Sequence, residues 1–101
     1  MLKRGRKPKS KPRGDRWFVY LVRCADDTLY TGIAKNVGRR CQQHNAGTAS
    51  RYTRSRRPVR LVYQEPRPSQ SSALKQEAAI KAVTRQGKLA MIRLRKKAKK
   101  G

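Results

Sequence analysis

A formal net charge of +23, from 28 Lys and Arg against 5 Asp and Glu, constrains this 101-residue chain more than any other feature. A compact domain with that surplus repels itself, and a polyanion relieves the repulsion. Nucleic acid is the partner this charge fits best, because neutralised phosphates release condensed counterions. Membrane surfaces and acidic proteins are the rival polyanions. The length suits one domain with one modest core. Only 36% of the residues are apolar, so part of the chain is expected to stay outside that core.

Several classes are disfavoured. No apolar run approaches the roughly 18 residues of a transmembrane helix. The basic N-terminus lacks the apolar segment of a secretory signal. Cys24 and Cys41 fit no metal-ligand spacing and are expected to be reduced thiols in a cytoplasmic protein.

Residues 1–15 read as a disordered basic arm rich in Lys, Arg, Pro and Gly. Within it, Arg4-Gly5-Arg6-Lys7-Pro8 loosely resembles a minor-groove hook, although a solvated tail that grips phosphates is the simpler reading. Residues 16–92 are expected to form the folded domain, and residues 93–101 a second basic tail. The run from Trp17 to Cys24 is β-branched and aromatic and predicts a strand. Turn chemistry at Ala25 to Thr28 leads into a second strand, Leu29 to Ile33, paired antiparallel through a hairpin. Asn36 is a good N-cap for a helix to about Asn45, stopped by Gly47. Gly47 to Pro58 reads as a basic loop and Val59 to Gln64 as a third strand. Pro66, Pro68 and serines connect to a longer helix over Ser72 to Thr84. A weaker helical pattern follows near Gln86 to Leu94. The order predicts an α+β fold, a small three-stranded antiparallel sheet flanked by helices.

Helical spacing sorts the charged residues. Val37, Cys41 and His44 share one face of the first helix, with Arg40 at its border and Arg39 turned away. Arg40 therefore either snorkels along the core edge or serves a site. On the long helix Ala73, Leu74 and Ile80 define the inward stripe, and Glu77 lies within it. A carboxylate there needs a cation, either a basic side chain or a divalent metal. His44, the sole histidine, is either a satisfied structural residue or a group that bonds a phosphate or handles a proton. Tyr20 and Tyr30 lie on the first two strands. Periodicity does not show whether their hydroxyls share a pocket.

This pattern resembles the GIY-YIG nuclease domain. Phe18-Val19-Tyr20 stands at the first triplet and Tyr30-Thr31-Gly32 at the second. Asn36 to Asn45 then carries Arg40 and His44, and Glu77 follows on a later helix. The departures are Phe18 and Val19 for Gly and Ile, and Thr31 for Ile. The likeness spans Trp17 to Lys88 and is nearest to the small single-domain bacterial members. The family also includes excision-repair and homing endonucleases.

The resemblance implies a DNA endonuclease, with Tyr20, Tyr30, Arg40, His44 and Glu77 as catalytic residues. Glu77 would hold one Mg²⁺ or Mn²⁺ beside the scissile phosphate. Arg40 would hold a phosphate oxygen and offset developing charge. Tyr30, aided by His44, would take a proton from the attacking water, and Tyr20 would position this group or a water. Tyrosine's ordinary pKa near 10 requires nearby cations for that task. Gly32 would have a structural role, a close backbone approach. Lys35, Arg39, Arg51, Arg54, Arg56 and Arg57 would grip the backbone without sequence preference. Tyr52 would either pack or stack on an unpaired base. The implied substrate is branched or damaged DNA in repair or recombination, acted on by a monomer at the nucleoid. An inactive DNA-binding module and an RNA- or ribosome-associated protein are the competing readings.

Overall fold

The structure, a computed structural model, describes residues 16–100. The arm at residues 1–15, with its Arg4 to Pro8 segment, lies outside the described residues. Three strands, β1 (Trp17–Arg23), β2 (Leu29–Ala34) and β3 (Arg60–Arg67), form an antiparallel sheet in the order β2-β1-β3. Four helices flank it: α1 (Val37–Ala46), α2 (Arg51–Arg54), α3 (Gln70–Lys81) and α4 (Arg85–Lys100). The expected α+β architecture is the one observed.

β1 is central, which explains its sequence. A strand covered on both faces needs a continuous apolar run rather than alternation. Val19, Tyr20, Leu21 and Val22 are each no more than 1% exposed. Tyr20 and Val22 face α1, in a cluster with Ala34, Val37 and Val59. Val19 and Leu21 face the other way, against Ala73, Ile80 and Ile92 of α3 and α4. The sheet thus separates two half-cores. The register between β1 and β3 shifts between Leu21 and Val22.

Local chemistry sets the α1 boundaries. The Asn36 side chain accepts from the Arg39 N–H, and Gly47 closes the helix at φ 85°. That left-handed backbone costs glycine nothing. Just beyond, Asn45 ties α1 to the start of β3 by donating to the Val59 carbonyl at 3.0 Å and accepting from its N–H at 2.7 Å.

Four segments differ from expectation. Residues 47–58 are not wholly loop: Ser50 accepts from the Thr53 N–H and starts the single-turn helix α2. β3 continues through Pro66, which is tolerated because β3 is an edge strand. Ser69 caps α3, which begins two residues earlier than the spacing implied and ends at Lys81. Thr84 instead accepts from the Gly87 N–H at the start of α4. α4 runs through Lys100, so residues 93–100, read as part of a tail, are helical. Leu74, assigned to the inward stripe, is 48% exposed; Ala73 and Ile80 are the buried members.

Candidate active site

The site grows from the strand pair β1–β2 and the face of α1 above it. Tyr20 on β1 stands opposite Gly32 on β2, and Val22 opposite Tyr30. Cross-strand partners share a face, so both phenols point toward α1. Gly32 is required by that arrangement. A Cβ on it would lie 2.6 Å from the Tyr20 hydroxyl oxygen and 2.7 Å from Cζ. The glycine is what allows the phenol to cross over β2.

His44 comes down from α1 onto these rings and is 1% exposed. Its Nε2 lies 2.8 Å from the Tyr20 hydroxyl, and its Nδ1 lies 2.7 Å from Oγ1 of Thr53 on α2. Tyr30 meets His44 edge-on, with ring centroids 5.3 Å apart. Among the described residues no hydrogen bond engages the Tyr30 hydroxyl. The structure therefore links His44 to Tyr20 by a hydrogen bond and to Tyr30 by ring contact only, a different pairing from the one the resemblance suggested.

Electrostatics connect the remaining members. Burial raises the Tyr20 pKa well above the ordinary phenol value, helped by Tyr30 and opposed by the Arg40 guanidinium; Cys41 and Glu77 also raise it. Burial likewise lowers the His44 pKa, and the Arg40 charge lowers it further. One cation thus acts on both groups, and burial and Arg40 together favour the neutral form of His44. Glu77 lies within electrostatic reach of Tyr20 and has an 18% exposed side chain. It is half-sunk at the sheet rather than out in solvent.

The pairing of the acids singles out Glu77. Asp26 bonds Arg56 at 3.0 Å, Asp27 bonds Arg85 at 3.0 Å and Glu65 bonds Arg67 at 3.1 Å. Among the described residues Glu77 has only Lys81, one turn on in its own helix, at 3.4 Å. No group of three or more His, Cys, Asp or Glu able to hold a metal occurs among the described residues. That excludes a closed, Zn²⁺-type cage there. A single carboxylate does fit a Mg²⁺-like ion whose other positions are filled by waters and a phosphate.

The basic residues divide into two sets. Arg39, Arg51 and Arg54 are exposed. Lys35 is exposed with its ammonium 5.6 Å from the Trp17 ring. Arg56 and Arg57 are tied internally. Arg56 bonds Asp26 and donates to the Tyr52 carbonyl at 2.8 Å. Arg57 donates to the Arg54 carbonyl at 2.9 Å. Tyr52 stacks on Tyr30 at 5.8 Å and takes the Arg56 guanidinium 3.9 Å from its ring centroid, so in the folded chain it packs. Cys24 and Cys41 are free thiols. No described helix is long and apolar enough to cross a membrane.

Sequence reasoning missed Thr53. It is fully buried, and its contact with His44 depends on α2 folding back against α1. The signal available was Ser50, an N-cap three residues before it.

Two strand tyrosines thus face the helix that carries Arg40 and His44, with Glu77 on a later helix, the order of residues that marks the GIY-YIG pattern. The GIY-YIG catalytic domain model matches residues 16–90, and the chain belongs to that family. UPF0213 proteins of Staphylococcus aureus strains Mu3 and Mu50 are each 53% identical over 81 residues, covering 80% of this chain and 99% of theirs. The solution structure of a UPF0213 protein from Bacillus halodurans matches with a TM-score of 0.51 and 35% identity, over 78% of this chain and 84% of that one. Membership of a nuclease superfamily implies a nucleic acid as substrate.

Proposed function

We propose that this protein is a divalent-metal-dependent DNA endonuclease that hydrolyses phosphodiester bonds in repair or recombination. The observation that carries the reading is the convergence of Tyr20, His44, Arg40 and Glu77. The Tyr20–His44 bond is 2.8 Å long, and both charged groups act on the same phenol. A protein that only bound nucleic acid would have no use for a half-buried acid among phosphates, because it would repel them.

The residues divide the work as follows. Tyr20 gives its proton to His44 Nε2 as it takes one from the attacking water. Burial makes a free phenolate costly, and this concerted transfer avoids forming one. Tyr30, partly exposed and with its hydroxyl unbonded to described residues, lines the approach and orients the water. Arg40 holds a phosphate oxygen and opposes the negative charge that develops on it. A bound phosphate would in turn offset the Arg40 charge on His44 and make the imidazolium easier to form. Glu77 would hold one Mg²⁺ or Mn²⁺; such an ion, when bound, stabilises the leaving oxygen. Lys35, Arg39, Arg51 and Arg54 supply the grip on the backbone, which carries no sequence information.

Plasmid nicking with Mg²⁺ or Mn²⁺ tests the proposal. The parent should nick, while Glu77→Ala and Arg40→Ala should bind DNA and leave it intact. Equal nicking by all three would refute the assignment. Binding without nicking by the parent would make the chain a DNA-binding module on the same fold.

A further inference from the structure

We propose that Thr53 is a positioning residue that holds His44 in its Nδ1–H tautomer, leaving Nε2 as the acceptor for the Tyr20 hydroxyl. The inference rests on the proposed nuclease reading for its consequence, but not for its observation.

A neutral imidazole has one N–H and one acceptor nitrogen, and whatever bonds the first nitrogen decides the state of the second. His44 is enclosed, with Tyr20 from β1 at Nε2, Thr53 from α2 at Nδ1, the Tyr30 ring from β2 beside it, and Arg40 one turn earlier on its own helix.

Two polarities are conceivable along the chain Tyr20–His44–Thr53–Ser50. In the first, Tyr20 donates to Nε2 and Nδ1–H donates to Thr53. The Thr53 hydroxyl then donates to Ser50, whose Oγ is 2.9 Å away and whose carbonyl oxygen is 3.5 Å away. Every buried proton has an acceptor, and the Ser50 hydroxyl proton, on a partly exposed residue, is left to solvent.

In the second polarity, Nε2–H donates to Tyr20, and the phenolic proton must find another acceptor. Among the described residues Tyr20 has none, and it is 1% exposed. An orphaned buried proton is the costly outcome, so the first polarity holds. Thr53 is itself 0% exposed, so no water competes for Nδ1. The neighbouring residue on α2, Tyr52, stacks on Tyr30. The single turn of α2 thus fixes both partners of the site.

The chain has one histidine, so its imidazole nitrogens can be observed without overlap. Long-range ¹H–¹⁵N correlation on labelled full-length protein at neutral pH would show which nitrogen is protonated. Expected are Nδ1–H in the parent and in Thr53→Ser, which keeps the hydroxyl. Thr53→Val keeps the shape and loses the acceptor, so either tautomer then leaves one buried proton unpaired and the Nε2–H form should appear beside Nδ1–H. Nicking should fall roughly tenfold or more in Thr53→Val with DNA affinity unchanged, and recover in Thr53→Ser. An Nε2–H parent would overturn the proposal, as would a folded Thr53→Val that keeps Nδ1–H alone. Should Thr53→Val not fold, Thr53→Ala removes the same acceptor and is read in the same way. A parent with Nδ1–H that never nicks would refute the nuclease reading and leave the role of Thr53 standing.

Discussion

The Tyr20 hydroxyl and the His44 imidazole lie 2.8 Å apart, one on the central strand and the other on the helix above it, 24 residues later in the chain. This bond joins the two halves of the GIY-YIG pattern, the tyrosine triplets and the helical Arg–His pair. It forms only because Gly32 leaves room for the phenol to cross β2.

Gly32→Ala should therefore act as an active-site mutation although it removes no polar group. The new methyl would need the space of the Tyr20 hydroxyl, and both neighbours are held in a close-packed core. Overpacking of this kind costs about 1–3 kcal/mol. Urea unfolding should show that loss, and displacement of the phenol should lower nicking. Unchanged stability and activity would mean that Tyr20 does not need its observed position.

His44 predicts a pH dependence of stability. Burial and Arg40 hold its folded-state pKa below the ordinary 6.5. Between that lowered value and 6.5 the unfolded chain binds more protons than the folded one, so stability rises with pH across this window. As pH falls from about 7 to about 5 the melting temperature should drop, before carboxylates begin to titrate near 4. His44→Gln should flatten this slope, and an equally steep slope in that variant would assign the effect elsewhere.

Much of the fold was legible because it is locally encoded. Asn36 and Gly47 mark the ends of α1 by their own bonds and backbone preference. The continuous apolar run at β1 announces a strand buried on both faces. The inward placement of Val37, Cys41 and His44 followed from helical spacing, and Glu77 proved to be half-buried as its stripe implied. What failed was not local. α2 is a single turn inside an arginine-rich segment, too short to show periodicity. Leu74 borders the stripe and fell on its exposed side. The choice of His44 for Tyr20 over Tyr30 depends on how α1 lies across the sheet, and a sequence pattern carries no such angle.

The basic arm offers a prediction from charge alone. Residues 1–15 carry seven of the 28 Lys and Arg. If they contact phosphates, deleting them should weaken DNA binding and flatten the dependence of log K on log salt concentration, because fewer counterions are released. An unchanged slope would assign the grip to the folded domain, where Arg39, Arg51 and Arg54 are exposed.

Single-turnover cleavage of a labelled DNA duplex with Mg²⁺, comparing the parent with Tyr20→Phe, reads the contribution of the Tyr20 hydroxyl alone. Removing one oxygen leaves the ring packed against Gly32 but takes away the proton that His44 accepts. The account predicts a rate lower by roughly 10²-fold or more with DNA affinity unchanged. A Tyr20→Phe enzyme that cleaves at the parent rate would contradict it.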